Sequence, residues 1–361
     1  MIPERLKTVL AAELSEEDRA AFDAFVAGSP YSAYQQSRAW AEHAPRARRQ
    51  DFLYFLCRDG GALVGAGVVR RSRLGPLARL ATLQRGPVVH DVERLGALVA
   101  ALKQALRQGG FSTVALGPRI GGDNRAEALR ILHGLGLRPL PPDRQSLHTA
   151  TGKIDLGRGE EAVLAGFKQR GRRQIRAAAK LGVTVRPAAS AEDLAVYQAV
   201  LSDFQRRKSR YETAGLPDVL QQAAIVRANG GAILIAEREG AVIGGHAFVV
   251  QGADAIWLSM ATSDLDPAIP RSYALLWEAI RLARTMGCRS YDLAGMSEGE
   301  SGDGGEASRD QFKSAFAPRH DRLVPAHVAP LRPLRHLVFF NGRQIYRSLR
   351  RSLRQLRSRA G

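Results

Sequence analysis

Between Ala162 and Ala191 the chain carries no carboxylate, yet Lys168, Arg170, Arg172, Arg173, Arg176, Lys180 and Arg186 all fall inside that stretch. Lys168, Arg172, Arg176 and Lys180 recur every four residues, which aligns them on one side of a helix provided Gly171 does not break it. Ile175, Ala178 and Ala179 supply apolar contact. Like charges at this spacing repel by roughly 0.2–0.5 kcal/mol per pair unless an anion sits among them, so the stretch reads either as a phosphate site or as a solvated basic face. A second basic group, Arg206, Arg207, Lys208 and Arg210 with Tyr211, closes the helical run that starts at Glu192. A third candidate is Phe312-Lys313, with Phe316 behind it, after the Gly- and Glu-rich loop from Ser297 to Glu306. A lysine between aromatics loses part of its water and becomes useful to catalysis; the alternative is an ordinary strand-edge lysine.

The absences narrow the chemistry. There is no Gly-x-Ser-x-Gly elbow and no Walker-type phosphate loop, and the eight histidines are scattered away from acidic clusters. No covalent nucleophile, bound metal or nucleotide hydrolysis is expected. The two cysteines, Cys57 and Cys288, lie far apart in apolar segments, so neither a disulfide framework nor a zinc cluster is expected, and a reducing cytoplasm fits. The formal charge of +18, from 53 Lys plus Arg against 35 Asp plus Glu, draws polyanions but says nothing of fold. No run of about 18 apolar residues occurs and the N-terminus lacks an export signal, so neither a membrane span nor secretion is expected.

The elements that must position these residues repeat once along the chain. At 361 residues two domains are expected. Phe55 to Ala66 reads as a β-hairpin turning at Asp59-Gly60-Gly61, and Ile235 to Gly245 reads the same, one residue shorter at the turn. Downstream of each comes an amphipathic helix and a strand. Leu98, Val99, Leu102 and Leu106 precede Gly109-Gly110 and the strand Ser112–Leu116. Leu275, Leu276, Ala279, Ile280, Ala283 and Met286 precede Gly287 and the strand Ser290–Leu293. Corresponding positions lie about 180 residues apart. The order in each half predicts a mixed α/β class, a mixed sheet with helices packed on it, twice over. The expected boundaries are residues 1–150, then 151–330 with a basic helical insertion at its start, then a basic tail, 331–361. In that tail Arg343, Arg347, Arg350, Arg351, Arg354 and Arg357 interleave with Ile345, Leu349, Leu353 and Leu356 at helical spacing, a pattern suited to an acidic surface.

The run from Phe167 to Val185, with Arg172, Ile175, Arg176, Ala178, Lys180, Gly182 and Val183 at its marked positions, resembles the Fem family of peptidoglycan interpeptide-bridge aminoacyltransferases. Further family-like blocks follow in order: Gln36-Ser37 with Trp40, Arg85-Gly86-Pro87-Val88, Leu275 to Ile280 through Gly287 to Tyr291-Asp292, and Gln311-Phe312-Lys313 with Phe316. Together they span about residues 31 to 325. The resemblance implies two tandem acetyltransferase-like (GNAT) domains and transfer of an amino acid from aminoacyl-tRNA to a stem-peptide amine of a lipid-linked or nucleotide-linked peptidoglycan precursor. It implies that Arg172, Arg176 and Arg207, with Lys168, Lys180 and Tyr273, bind substrate and its phosphates. It implies further that Lys313, positioned by Phe312, stabilises charge at the reacting ester. No cofactor is implied, since the tRNA-linked donor is a substrate. The enzyme is expected in the cytoplasm, with its tail at the inner face of the membrane.

The sequence departs from that family at three places. Leu116-Gly117-Pro118 stands where an Asp precedes Pro, Ala315-Phe316-Ala317 replaces glycines around the Lys-Phe block, and His43 stands where a lysine follows Trp40. An aspartate base is therefore not carried over. Two alternatives remain: an acyl-CoA-dependent or other N-acyltransferase of envelope polysaccharide or lipid, and a non-enzymatic protein binding nucleic acid or anionic surfaces. Against the first, Ala274 and Leu276 stand where a pyrophosphate loop needs glycines after Arg271.

Overall fold

The computed structural model describes residues 6–44, 50–74, 77–208, 214–264, 266, 268–296 and 304–342. The chain forms two units: one holds residues up to Ala41, Arg46–Ser146 and the chain from Val324 on, the other Glu42–Pro45 and Leu147–Leu323.

The first unit begins β1 (Leu6–Ala11), α1 (Glu16–Gly28), α2 (Arg38–His43), β2 (Gln50–Asp59), β3 (Ala62–Arg73), β4 (Arg79–Arg85), α3 (Leu95–Gln108), β5 (Thr113–Pro118), α4 (Asn124–Gly134) and β6 (Arg138–Pro139). The second comprises β7 (Ala150–Asp155), α5 (Glu160–Gly166), α6 (Gln169–Lys180), β8 (Thr184–Pro187), α7 (Ala191–Lys208), α8 (Leu216–Ala228), β9 (Ala232–Arg238), β10 (Ala241–Gln251), β11 (Asp254–Thr262), α9 (Arg271–Thr285), β12 (Ser290–Gly295), α10 (Gly304–Ser314) and β13 (Arg319–Arg322). A last strand, β14 (His327–Pro330), returns to the first unit, where it pairs with β5 and β6. The seven-stranded sheets run β1-β2-β3-β4-β5-β14-β6 and β13-β7-β12-β11-β10-β9-β8. In each, one pair is parallel: β4 with β5, and β11 with β12.

The duplication predicted from the sequence is present strand for strand, and closer than the sequence alone suggests. Both hairpins turn on two residues with positive φ, Gly60-Gly61 and Glu239-Gly240, the geometry whose twist suits a hairpin. The second turn is therefore not shorter. Each hairpin also breaks register at the same place, where Arg58 faces Leu63 beside Cys57 facing Gly65, and Glu237 faces Val242 beside Ala236 facing Gly244. Val64 and Ile243 are the extra residues of these bulges. A Cβ on Gly65 would lie 2.1 Å from Leu98 of α3, and one on Gly244 would lie 3.0 Å from Leu275 of α9, so each helix presses a leucine onto a bulge that only glycine leaves open.

Each unit has its own core. In the first, Phe55, Leu95, Leu102 and Leu106 are fully buried; in the second, Phe248, Leu275, Leu276 and Tyr291 are. The α3 face is buried as its spacing predicts. On the second helix, Met286 departs from the expectation: it lies just past α9 as its C-cap and is 43% exposed. The boundary expected at 330 also shifts, because Val324 to Pro330 belongs to the first unit, where β14 completes the sheet beyond β5. The arginines expected to form a basic tail, Arg343 onward, lie outside the described residues, as do Arg210 and Tyr211.

Candidate active site

In the second unit β11 and β12 pair through Asp254↔Ser290, Ala255↔Tyr291 and Ile256↔Asp292, and pairing then stops. Beyond that point β11 stays bonded to β10, and Gly295 of β12 pairs with Thr151 of β7. The parallel strands thus part, leaving the half-buried side chains from Trp257 to Met260 along one lip.

Lys313 crosses this opening. Its Nζ donates to the Gly295 carbonyl at 2.6 Å, on the β12 lip, and lies 5.1 Å from the ring centroid of Trp257, on the β11 lip. Lys313 sits in the last turn of α10 and is 4% exposed; the sequence alternative of a strand-edge lysine is excluded. Aromatic rings enclose it: Phe312 packs edge-on to Tyr273 at 4.9 Å and to Phe316 at 5.4 Å, and faces Trp257 at 6.3 Å. Burial, the first cause, and Arg309 push its pKa down from 10.5 to about 8, while Asp310 and Asp292 act in the opposite sense. Burial thus makes this ammonium a stronger acid than an ordinary lysine's. The Tyr273 hydroxyl, among the same rings, is buried without a hydrogen-bond partner among the described residues, so it can serve a bound substrate.

Three buried side chains not singled out as site residues from the sequence hold the strands where they part. Tyr291 Oη lies 2.6 Å from His246 Nε2, and His246 Nδ1 lies 2.8 Å from the Ser259 carbonyl. A carbonyl only accepts, so Nδ1 carries the proton and Tyr291 donates to Nε2. Burial holds the His246 pKa down at about 3, so this imidazole is a neutral brace. Asp292, 2% exposed, accepts from the Thr151 hydroxyl and, at 2.8 Å, from the Ala294 N–H, which fixes the turn leading to Gly295. A histidine in the apolar strand Gly244-Gly245-His246-Ala247-Phe248 was the available signal for this brace.

The basic residues fare differently from one another. Gly171 does not break α6; it lets the helix approach, since a Cβ there would lie 2.5 Å from the Ala315 carbonyl oxygen. The Lys168 N–H donates to that same oxygen at 3.0 Å, so the first turn of α6 abuts the residue two past Lys313. Lys168 itself is the N-cap, outside the helix. Arg172 turns inward and donates to the carbonyls of Ala165, at 3.0 Å, and Phe167, closing the end of α5. The expected row of four on one side is therefore corrected: with Gly171, Ile175 and Ala178 buried, the outer face presents Arg170, Arg173, Arg176 and Lys180, all exposed. Arg176 and Lys180 have no ion-pair partner among the described residues. Arg207 is engaged with Asp203 at 3.0 Å, Asp264 at 3.2 Å and the Thr262 carbonyl, tying α7 to the end of β11.

At the start of α9, where a GNAT protein would cradle a pyrophosphate, the chain itself takes up part of the hydrogen-bonding capacity. The N–H groups of Arg271 and Tyr273 donate to Ile269 at 2.9 Å and Pro270 at 3.0 Å, and the Arg271 side chain folds back on the Asp266 carbonyl at 3.1 Å. Both cysteines are buried, and burial pushes each thiol up to about 11, so neither is a ready thiolate.

Residues 165–314 match the acetyltransferase (GNAT) domain family, a segment that contains the opening, α6 and Lys313. The whole chain is similar to the crystal structure of FemX, with a TM-score of 0.79 at 16% identity over 92% of this chain and 99% of that one. The chain has a FemX-like fold, and its second unit carries a GNAT-type domain. It is also similar, more distantly, to a tandem GNAT protein from the clavulanic acid biosynthesis pathway (TM-score 0.53, 14% identity, 90% of this chain and 98% of that one). The C-terminal domain of a putative lysylphosphatidylglycerol synthetase from Agrobacterium fabrum matches with a TM-score of 0.52 at 17% identity, over 87% and 92% of the two chains. No curated protein matches the sequence.

Proposed function

We propose that this protein is an aminoacyltransferase that moves an amino acid from aminoacyl-tRNA to a stem-peptide amine of a lipid-linked or nucleotide-linked peptidoglycan precursor. The observation that carries the reading is the Lys313 ammonium set across the parted strands in an aromatic enclosure. An amine attacking the ester carbonyl of a charged tRNA forms a C–N bond, places negative charge on the carbonyl oxygen, and breaks the C–O bond to the ribose, whose oxygen leaves with a proton. An activated ester needs no enzyme nucleophile; orientation and a cation at the developing oxyanion supply the acceleration. Lys313 is that cation, and Tyr273 Oη offers a hydrogen bond to the substrate beside it.

The outer face of α6 supports a phosphate-bearing partner. At about 1.5 Å per residue, Arg176 lies about 8 Å and Lys180 about 14 Å along the helix from the Gly171 contact, a spacing suited to successive phosphates of a nucleic acid leading away from Lys313. Arg172 and Arg207 hold structure in this reading. Ala274 and Leu276 in place of glycines at the start of α9, with the Arg271 side chain folded back on the Asp266 carbonyl, speak against acyl-CoA as donor. No helix among the described residues is long and apolar enough to cross a membrane, and the reading places the enzyme in the cytoplasm, with the basic tail at the acidic inner face of the membrane.

The test is transfer of radiolabel from charged tRNA to the precursor. It should require charged tRNA and fall steeply in Lys313→Ala; equal transfer from acyl-CoA without tRNA would overturn the reading.

A further inference from the structure

A second cavity lies in the same unit at the opposite end of the parallel strands. It has a volume of about 530 Å³ and is lined where β11 and β12 begin, at Asp254, Arg289 and Ser290, and where β7 ends, at Lys153 and Asp155. That volume falls within the range of roughly 300–1,000 Å³ typical of small-molecule sites and exceeds what a lone oxyanion needs. Its floor is closed by the core side chains Val163, Phe167 and Phe316, which are themselves buried.

The charges around it do not cancel. Lys153 is satisfied by Asp254 at 3.3 Å, and Asp254 also accepts from Ser290 Oγ at 2.6 Å. Arg158 faces Asp155 at 3.9 Å with both side chains mostly exposed, a pair of little strength that a better anion displaces. Arg289 and Arg319 then remain, with no side-chain hydrogen bond or ion pair among the described residues. Two exposed arginine forks lining one cavity suit a phosphate, since guanidinium binds phosphate in a bidentate way.

We propose that this cavity is a second ligand site that takes a phosphate monoester, its phosphate on Arg289 and Arg319. The site stands apart from Lys313 and does not depend on the transfer reaction. Phe316 nevertheless touches both: it lines the cavity and stacks on Tyr273 at 5.7 Å, so occupancy has a packed route to the aromatic enclosure.

Calorimetric titration of the full chain with AMP at low salt tests this. Saturable binding at one site per chain is expected, weakened at least about tenfold in the doubly substituted Arg289→Ala/Arg319→Ala protein and unchanged in Lys313→Ala. Glycerol 3-phosphate and inorganic phosphate, run alongside, separate the sources. Tighter binding of AMP identifies a nucleotide, and tighter binding of glycerol 3-phosphate identifies a lipid-type headgroup. Inorganic phosphate binding as well as either overturns the proposal that the site takes an ester. No saturation at millimolar AMP, or binding that the double substitution leaves intact, overturns the site itself.

Discussion

The two units share one strand plan and differ in where their sheets come apart. In the first, the parallel pair β4 and β5 is zipped through six pairs, from Leu80↔Thr113 to Arg85↔Pro118. The gap falls one strand earlier: β3 and β4 pair only from Arg70↔Thr82 to Arg73↔Arg79. Gln36, fully buried, fills it, accepting from the Val68 N–H at 2.8 Å and donating to the Gln84 carbonyl at 2.7 Å. In the second unit the parallel pair opens after three residues, and what crosses the opening is an ammonium group. A neutral amide that satisfies both strands closes a sheet, whereas a buried cation leaves a site that still has something to do. The duplicated fold therefore seals one sheet with a neutral amide and spans the other with an ammonium group.

The largest expected effect tests that contrast at its sharper end. Lys313→Ala should lower the transfer rate by about 10²–10³-fold, in the range seen for removal of one oxyanion-stabilising group, while circular dichroism stays native. Retained activity would dissolve the distinction between the units. Next is the pH dependence of stability. With a folded pKa of about 8 against an ordinary value of 10.5, the unfolded chain binds more protons at Lys313 between those values, so stability rises as pH rises through that window. Relative to Lys313→Met, wild type should gain on the order of 2 kcal/mol between pH 7.5 and 10.5, read from urea unfolding. A flat difference would show that the ammonium is not desolvated. In transfer assays the same titration should produce a falling limb near pH 8, absent from the Lys313→Arg protein if that variant retains activity.

Gln36→Ala probes the other copy. Removing the amide leaves the buried Val68 N–H and Gln84 carbonyl without it, at a cost of about 1–3 kcal/mol in unfolding free energy, with the rate constant of the folded enzyme unchanged. A selective loss of activity at native stability would instead assign chemistry to the first unit. The smallest effects are expected on α6: Arg176→Ala and Lys180→Ala should each weaken tRNA binding by a fewfold and reduce its salt dependence by about one unit of slope, measured by filter binding.

Much of the fold was legible because its signals are local. Glycine at the hairpin turns, helical spacing in Leu98 to Leu106 and Leu275 to Ala283, and the order of elements all read correctly. Phe312-Lys313 was legible as a candidate from its aromatic neighbours. The rest depended on distant parts of the chain. β14 joins β5 across some two hundred residues, with no local pattern to announce it. Arg172 and Arg176 look alike in sequence, yet one closes the end of α5 and the other faces solvent, because only the packing of Ile175 and Ala178 decides which way each points.

The amino-acid sequence by itself determined that the protein is a duplicated α/β chain with a basic helix and a lysine set among aromatic residues, since periodicity, turn chemistry and charge spacing act over a few residues. Tertiary structure alone decided which parallel pair opens, that Lys313 bridges that opening with its ammonium stripped of water, and that Gln36 seals the other unit. Those outcomes depend on which strands compete for the same hydrogen bonds and on how much water the surrounding side chains exclude, and both are properties of the assembled sheet.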